Sequence, residues 1–202
     1  IIELFTIYSK IYYKMINDTY NCAYLHVPKT GGTSILNSFG IDWNDENTLY
    51  FLSYNAYYWK KNLRFTTSIS DLPKKYFIFT VVRNPWERFI SGWKYCAPNI
   101  TIEHLLNNLP TEGHDYDHIT KTQYEMITKN GELIPNYLIR FEDFQLGFDN
   151  VCDIIKKPRV ILKKLNYTIH EPYQEYFNER TLKLFNEKFH KDIELLNYKF
   201  DN

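Results

Sequence analysis

The sequence is short of cysteines, of long apolar runs and of excess charge of either sign. Its three cysteines, Cys22, Cys96 and Cys152, are an odd number and lack the spacing of a zinc site or a disulfide framework. We therefore interpret them as buried free thiols and expect no metal site. No apolar stretch approaches the ~20 residues that a membrane-spanning helix needs, so we predict no membrane span.

Charge and length narrow the class of protein further. The 24 Lys and Arg residues balance the 24 Asp and Glu residues, so no overall field attracts nucleic acid or an anionic membrane. Any anion-binding site must then be local, and we predict no nucleic-acid partner. Aromatic residues make up 18% of the 202 residues, which is too much apolar surface for a disordered chain. We expect one folded domain over residues 1–202.

Short apolar strands alternate with amphipathic helices along the chain. We predict strands at 22–27, 76–82 and 137–141, and helices at 33–39, 86–95, 149–157 and 179–196. This alternation predicts an α/β fold in which a P-loop-like parallel β-sheet is flanked by helices. In such sheets, ligands bind beyond the carboxyl ends of the strands, where loops lead into helices.

The first such loop lies in "HVPKTGGTSI", residues 26–35. The strand ends before Pro28, and Gly31 and Gly32 allow the backbone to approach a ligand closely. The unpaired N–H groups of the following helix and the charge of Lys29 suit a phosphate or a sulfate. In nucleotide-triphosphate P-loops the lysine follows the last glycine, whereas here it precedes both glycines, which favours metal-free anion transfer. An ordinary strand-to-helix turn with a solvated lysine is the alternative.

The second loop lies in "FTVVRNPWERFISGW", residues 79–93. Arg83 ends a strand, and Asn84 is placed to cap the next helix. The apolar stripe of that helix leaves Arg88 and Ser91 together on the opposite face. A guanidinium fork with a hydroxyl nearby suits a terminal phosphate. The alternative is that Arg83 and Arg88 pair with nearby carboxylates.

Together the two segments resemble sulfotransferases that use 3′-phosphoadenosine-5′-phosphosulfate (PAPS), in particular the membrane-associated carbohydrate type and its small bacterial and viral relatives. The matching stretches are "PKTGGTS" and "RNPWERFIS", and the resemblance covers residues 22–200. It implies a sulfotransferase fold, with residues 1–21 as an N-terminal extension. It also implies that the 5′-phosphosulfate is bound by Lys29, Thr30, Gly31, Gly32, Thr33 and Ser34. The 3′-phosphate is then bound by Arg83 and Ser91.

The resemblance further implies transfer of a sulfuryl group from PAPS to a carbohydrate hydroxyl, without a metal. Lys29 would neutralise the charge that grows on the bridging oxygen as its bond to sulfur breaks. We interpret Glu142, which follows the third predicted strand in "RFE", as a cap or a structural ion-pair residue. The alternatives are a P-loop-type nucleotide kinase, and a catalytically silent relative that binds nucleotide or glycan.

A hydroxyl acceptor also needs a general base, usually a histidine or a carboxylate. The sequence has no histidine from 35 to 82, where small relatives often carry one. We assign the base to His118, with His114 as the next alternative, and expect His26 to be a core histidine. The carboxylate alternatives are Asp42, Asp45 and Glu46.

The expected compartment is cytoplasmic, in a microbial cell or the host cell of a virus. The Golgi lumen is the alternative if an N-terminal anchor has been removed. The sequence does not indicate an oligomeric state.

Overall fold

The computed structural model describes residues 14–41, 63–66, 72–165 and 170–200. The three carboxylates considered as the general base, Asp42, Asp45 and Glu46, lie outside these residues. Among the helices that are described, none combines the length and the apolar character needed to cross a bilayer.

A five-stranded sheet lies at the centre of the described chain. In chain order the strands are β1 (Lys14–Asn17), β2 (Cys22–Leu25), β3 (Leu63–Thr66), β4 (Phe77–Val82), β5 (Thr128–Lys129), β6 (Glu132–Leu133) and β7 (Tyr137–Arg140). β5 and β6 form a separate hairpin, and the main sheet has the order β3-β1-β2-β4-β7. β2 pairs with β4 and β4 pairs with β7, both in parallel. These are the three predicted strands, so the predicted α/β fold with a parallel sheet is confirmed.

Two antiparallel strands extend one edge of that sheet. β1 pairs antiparallel with both β2 and β3. A tight turn joins β1 to β2, in which Asn17 Oδ1 accepts a hydrogen bond from the backbone N–H of Tyr20 at 3.0 Å and Asn21 has a φ of 49°. β1 lies within residues 1–21, which the sequence analysis assigns to an extension, so the sheet begins earlier than residue 22. The four residues of β1 (KMIN) form neither an apolar run nor an alternation, so the sequence pattern does not predict this strand.

Helices connect and flank the strands. They are α1 (Gly32–Ser38), α2 (Pro85–Cys96), α3 (Ile102–Asn107), α4 (Gly113–Asp115), α5 (Gln123–Ile127), α6 (Phe144–Ile155) and α7 (Glu179–Leu196). A π-helical turn follows α4 at Tyr116–Thr120, and a 3-10 turn precedes α6 at Phe141–Asp143. The helix predicted at 149–157 begins five residues earlier and ends at Ile155, where Lys156 takes a left-handed φ of 57°.

Apolar side chains pack helices onto both faces of the sheet. On one face, Tyr24 and Phe79 pack against α1 and α6, where Phe148 is fully buried. On the other face, Leu25 packs with residues of α5 and with Leu196 of α7. The neighbours Tyr24 and Leu25 point to opposite faces, as the alternation of a β-strand requires. The layered arrangement that the sequence predicts is therefore present.

The three cysteines are free. Cys22 and Cys152 are buried in the cluster between the sheet and α6, which confirms their interpretation as core thiols. Cys96 differs because it lies at the last position of α2 and is only half-buried.

Truncation of Phe148 tests the packing of α6 on the sheet. We expect Phe148→Ala to lower the free energy of unfolding by about 3–5 kcal/mol, because a fully buried ring is replaced by a cavity. Leu146→Ala is the matched control on the same helix, since Leu146 is 64% exposed and its loss should cost less than about 0.5 kcal/mol. Urea unfolding followed by circular dichroism measures both, and equal losses would contradict the described core.

Candidate active site

The first segment predicted to bind an anion is a sharply curved loop between β2 and α1. Lys29 and Gly31 both take left-handed backbone conformations, with φ of 68° and 80°. Within the loop, the buried Thr30 hydroxyl donates to the carbonyl of Val27 at 2.8 Å. A Cβ at Gly31 would contact the rings of Phe141 and Phe144 at 3.0 Å. Residue 31 therefore favours glycine both by its backbone conformation and by the space around it.

Gly32 allows a histidine ring to lie directly against the loop. A Cβ at this position would come within 2.3 Å of Cδ2 and Nε2 of His26. The His26 ring also packs against Tyr24, with ring centroids 5.9 Å apart. Burial lowers the pKa of His26 to about 4, and the charge of Arg88 acts in the same direction. His26 is therefore neutral near pH 7 and packs under the loop, where it is half-buried and lies at the edge of the core.

The second segment turns from β4 into α2 at Asn84. The Asn84 side chain accepts hydrogen bonds from the backbone N–H groups of Trp86 at 3.0 Å and Glu87 at 3.2 Å, and Pro85 is the first helical residue. This is the cap that the sequence predicts.

Arg83 joins the second segment to the first. Its Nη1 donates to the carbonyl of Lys29 at 3.1 Å. Its Nε and Nη2 each lie 3.3 Å from a carboxylate oxygen of Glu87, and its guanidinium lies 4.4 Å from the centre of the Phe141 ring. The alternative of carboxylate pairing thus holds for Arg83 as well. These contacts use three of the five guanidinium N–H groups.

Arg88 is a structural bridge between the same two segments. It is only 2% exposed, although the helical pattern predicts a face away from the apolar stripe. Its Nε donates to the carbonyl of Pro28 at 3.0 Å, and its Nη2 contacts the carbonyl of Asp117 at 3.5 Å. Arg83 and Arg88 therefore hold consecutive carbonyls of the first loop. Ser91, one turn further along α2, is partly exposed.

Buried polar side chains support the backbone of Arg83 and the start of α5. Gln123 accepts from the Arg83 N–H at 3.0 Å and donates to the Arg83 carbonyl at 2.8 Å. Asp192 of α7 in turn accepts from the backbone N–H groups of Gln123 at 2.9 Å and Tyr124 at 2.7 Å. The sequence analysis missed Asp192, because 69 residues separate it from Gln123 and only the fold brings them together.

Glu142 holds the backbone of Asn84, the residue that follows Arg83. Its Oε1 accepts from the Asn84 N–H at 2.9 Å, and its Oε2 accepts from the Tyr198 hydroxyl at 2.7 Å. This agrees with the interpretation of Glu142 as a structural residue.

The side chain of Lys29 lies against α2. Its Nζ is 3.9 Å from the centre of the Tyr95 ring, which is a cation–π distance. Burial lowers the pKa of Lys29 to about 8; the charges of Arg83 and Arg88 add to this effect, and Cys96 opposes it. Lys29 therefore remains largely protonated near pH 7 in a poorly solvated position.

His118 lies in the same region as Lys29. The His118 ring stacks on His114 with centroids 4.1 Å apart, and the centroids of both rings are within 5.6 Å of the Tyr95 centroid. The backbone at His118 lies close against α2 at Gly92. Glycine allows this contact, because a Cβ at position 92 would lie 2.4 Å from the His118 carbonyl oxygen. Burial lowers the pKa of His118 to about 3, so the ring is neutral near pH 7.

Three possible metal ligands meet beside Tyr95. Ligand atoms of Cys96, His114 and His118 all lie within 4.8 Å of one another. The spacing of the cysteines alone predicts no metal site. The signal in the sequence for this cluster is the His-x-x-x-His spacing of His114 and His118, together with the helical face that leads from Arg88 through Gly92 to Cys96.

Comparison with known proteins decides the family. Residues 13–199 match the Sulfotransferase family. The chain belongs to the sulfotransferase family. The matched residues run from β1 to the end of α7 and include both segments predicted to bind anions; the family match supports sulfuryl transfer as the general chemistry. No curated protein and no solved structure matches the chain.

The packing of His26 predicts a pH dependence of stability. Its folded pKa of about 4 lies below the ordinary histidine pKa of 6.5, so the unfolded state binds the proton more readily between these values. The stability gained from a neutral His26 is therefore complete above about pH 6.5 and lost as the pH falls toward 4.

Replacement by a side chain that does not titrate isolates this contribution. We expect His26→Gln to show a shallower fall in unfolding free energy between pH 7 and 4 than the unsubstituted protein. Urea unfolding at half-unit pH intervals measures both slopes. Equal slopes would show that His26 is solvated in the folded state.

Proposed function

We propose that the chain transfers a sulfuryl group from PAPS to a hydroxyl group of a carbohydrate. The observation that carries this proposal is the 3.1 Å hydrogen bond from Arg83 to the carbonyl of Lys29. It brings together the two segments to which the family resemblance assigns the opposite ends of one nucleotide. A single PAPS molecule can then contact both segments.

The donor site is assigned as follows. The 5′-phosphosulfate is bound by Lys29, Thr30, Gly31, Gly32, Thr33 and Ser34, and the 3′-phosphate by Arg83 and Ser91. The contacts to Lys29 and Glu87 use three of the five guanidinium N–H groups of Arg83, and within the described ranges the other two can donate to a phosphate without releasing the loop. The Thr30 hydroxyl donates a hydrogen bond to the Val27 carbonyl, so Thr30 contacts the 5′-phosphosulfate through its backbone N–H.

Lys29 stabilises the departing nucleotide. In the transfer, the acceptor oxygen bonds to sulfur, the bond from sulfur to the bridging phosphate oxygen breaks, and adenosine 3′,5′-bisphosphate leaves. Negative charge then grows on the bridging oxygen. The poorly solvated ammonium of Lys29 interacts with that charge more strongly than a fully hydrated one would.

His118 is the general base in this proposal. Its Nδ1 lies 2.9 Å from the carbonyl of His114, which can only accept, so Nδ1 carries the proton and Nε2 has a free lone pair. Nε2 takes the proton of the acceptor hydroxyl as the new bond to sulfur forms. The Tyr95 side chain, 59% exposed beside both Lys29 and His118, provides an aromatic surface on which a sugar ring can lie.

The other hypotheses are less well supported. A nucleotide kinase is disfavoured by the family match and by the position of Lys29 before the glycines. A catalytically silent relative is separated from an enzyme by turnover of labelled PAPS. The free thiols of Cys22, Cys96 and Cys152 favour a reducing, cytoplasmic compartment.

Removal of the Lys29 ammonium tests its role in the transition state. We expect Lys29→Ala to reduce the turnover number with PAPS by at least ~10²-fold, the loss typical of a transition-state donor. Lys94→Ala is the matched control, because Lys94 lies on α2 with its Nζ directed to Trp93 and Tyr176. It should change turnover by no more than about twofold. Transfer by Lys29→Ala at the unsubstituted rate would refute this role.

The affinity for adenosine 3′,5′-bisphosphate tests whether Ser91 binds the 3′-phosphate, without an assay of turnover. We expect Ser91→Ala to weaken adenosine 3′,5′-bisphosphate by roughly 3–10-fold in isothermal titration calorimetry, as one hydrogen bond to a charged group is lost. Adenosine 5′-monophosphate lacks the 3′-phosphate, so its affinity should be the same for both proteins. An equal loss for both nucleotides would place Ser91 away from the 3′-phosphate.

A further inference from the structure

We infer that Cys96, His114 and His118 form a binding site for a divalent transition-metal ion of the Zn²⁺ class. Cys96 ends α2, and the two histidines lie four residues apart across α4 and the π-helical turn. All three residues are half-buried, so the site is held by the protein yet can be reached from solvent.

The distances suit a tetrahedral ion. Bonds of about 2.0–2.3 Å from Zn²⁺ to nitrogen and sulfur place neighbouring ligand atoms roughly 3.3–3.8 Å apart. Cys96 Sγ and His114 Nδ1 are already 3.7 Å apart. All distances between the three ligand atoms are within 4.8 Å. Rotation of the side chains can shorten the longer distances by the small amount that a tetrahedral ion requires.

The surroundings of the two histidines also suit ligation. The His118 Nδ1–H donates to the His114 carbonyl, which leaves Nε2 as the ligand; metal-bound histidines usually make such a second hydrogen bond. The Oδ1 atom of Asp115 lies 3.2 Å from His114 Nδ1. This carboxylate adds negative charge beside the site and offsets the nearby ammonium of Lys29.

The donor set selects the kind of ion. One thiolate and two imidazoles favour Zn²⁺, Co²⁺ or Cu²⁺ over Mg²⁺ and Ca²⁺, which prefer oxygen ligands. Three protein ligands leave a fourth position for water or for a carboxylate oxygen of Asp115.

Occupation of the site has a consequence that rests on the proposed function. The ion takes the Nε2 lone pair of His118, which is then unable to accept the proton of the acceptor hydroxyl. It also adds one net positive charge near Lys29, because the Cys96 thiol releases its proton on binding and the thiolate neutralises one of the two charges of the ion. Zn²⁺ is therefore an inhibitor of sulfuryl transfer in this protein.

Cobalt is the direct probe of the site. Metal-free protein titrated with Co²⁺ should bind one equivalent and show the thiolate-to-cobalt charge-transfer band and the intense visible bands of a four-coordinate ion. Cys96→Ser should abolish the charge-transfer band. His114→Ala should weaken binding by at least about tenfold. His104→Ala, at an exposed histidine of α3, is the control and should bind as the unsubstituted protein does.

The spectra can overturn the site without any assay of activity. Absence of the charge-transfer band in the unsubstituted protein would exclude Cys96 as a ligand. A band that persists in Cys96→Ser, or equal Co²⁺ affinity in His114→Ala, would place the ion elsewhere.

The inhibition is measured separately, with labelled PAPS and an acceptor. Zn²⁺ should reduce turnover, and a chelator should restore it. In Cys96→Ser, the Zn²⁺ concentration that halves that variant's own zinc-free rate should rise at least about tenfold. Full turnover with zinc bound would contradict the inhibition and the role of His118 together. If no protein sample turns over PAPS, the proposed function fails, while the cobalt spectra still decide the site.

Discussion

Two guanidinium hydrogen bonds determine how the two loops predicted to bind anions are placed relative to each other. Arg83 and Arg88, from the turn and first helix after β4, donate to the carbonyls of Lys29 and Pro28 in the loop after β2. Because β2 and β4 are adjacent parallel strands, both loops leave the same edge of the sheet. The two arginine hydrogen bonds then fix the position of the first loop relative to the second. Loss of either contact would free the first loop to move independently of the second.

Such a bridge must itself be held in place, and the support comes from distant parts of the chain. Gln123 pairs with both backbone groups of Arg83, and Asp192 holds the backbone N–H of Gln123. Glu142 holds the N–H of Asn84. Gln123 and Asp192 are buried and hydrogen-bonded, whereas Glu142 is exposed. Burial raises the pKa of Asp192, and the charge of Arg88 and the hydrogen bonds from Tyr124 and Gln123 oppose that effect. The residues that position the corner carrying Arg83 therefore lie far along the chain from the two loops.

Some of this arrangement follows from the sequence and some does not. The strands at β2, β4 and β7 are predictable because each is an apolar run with clear turn signals at its ends. Asn84 as a cap and Glu142 as a structural residue follow from local chemistry. β1 and the burial of Arg88 do not, since the four residues of β1 (KMIN) form neither an apolar run nor an alternation, and a helical wheel cannot show which loop will cover a polar face. The grouping of Cys96 with His114 and His118 depends on Gly92, whose missing side chain lets the 118 backbone approach α2.

The central claim is that the two loops bind the two ends of one adenosine nucleotide. A crystal structure with adenosine 3′,5′-bisphosphate tests it most directly. The account predicts the 5′-phosphate against residues 29–34 and the 3′-phosphate within hydrogen-bonding distance of Arg83 and Ser91. A nucleotide bound elsewhere, or a 3′-phosphate in solvent away from both side chains, would contradict it.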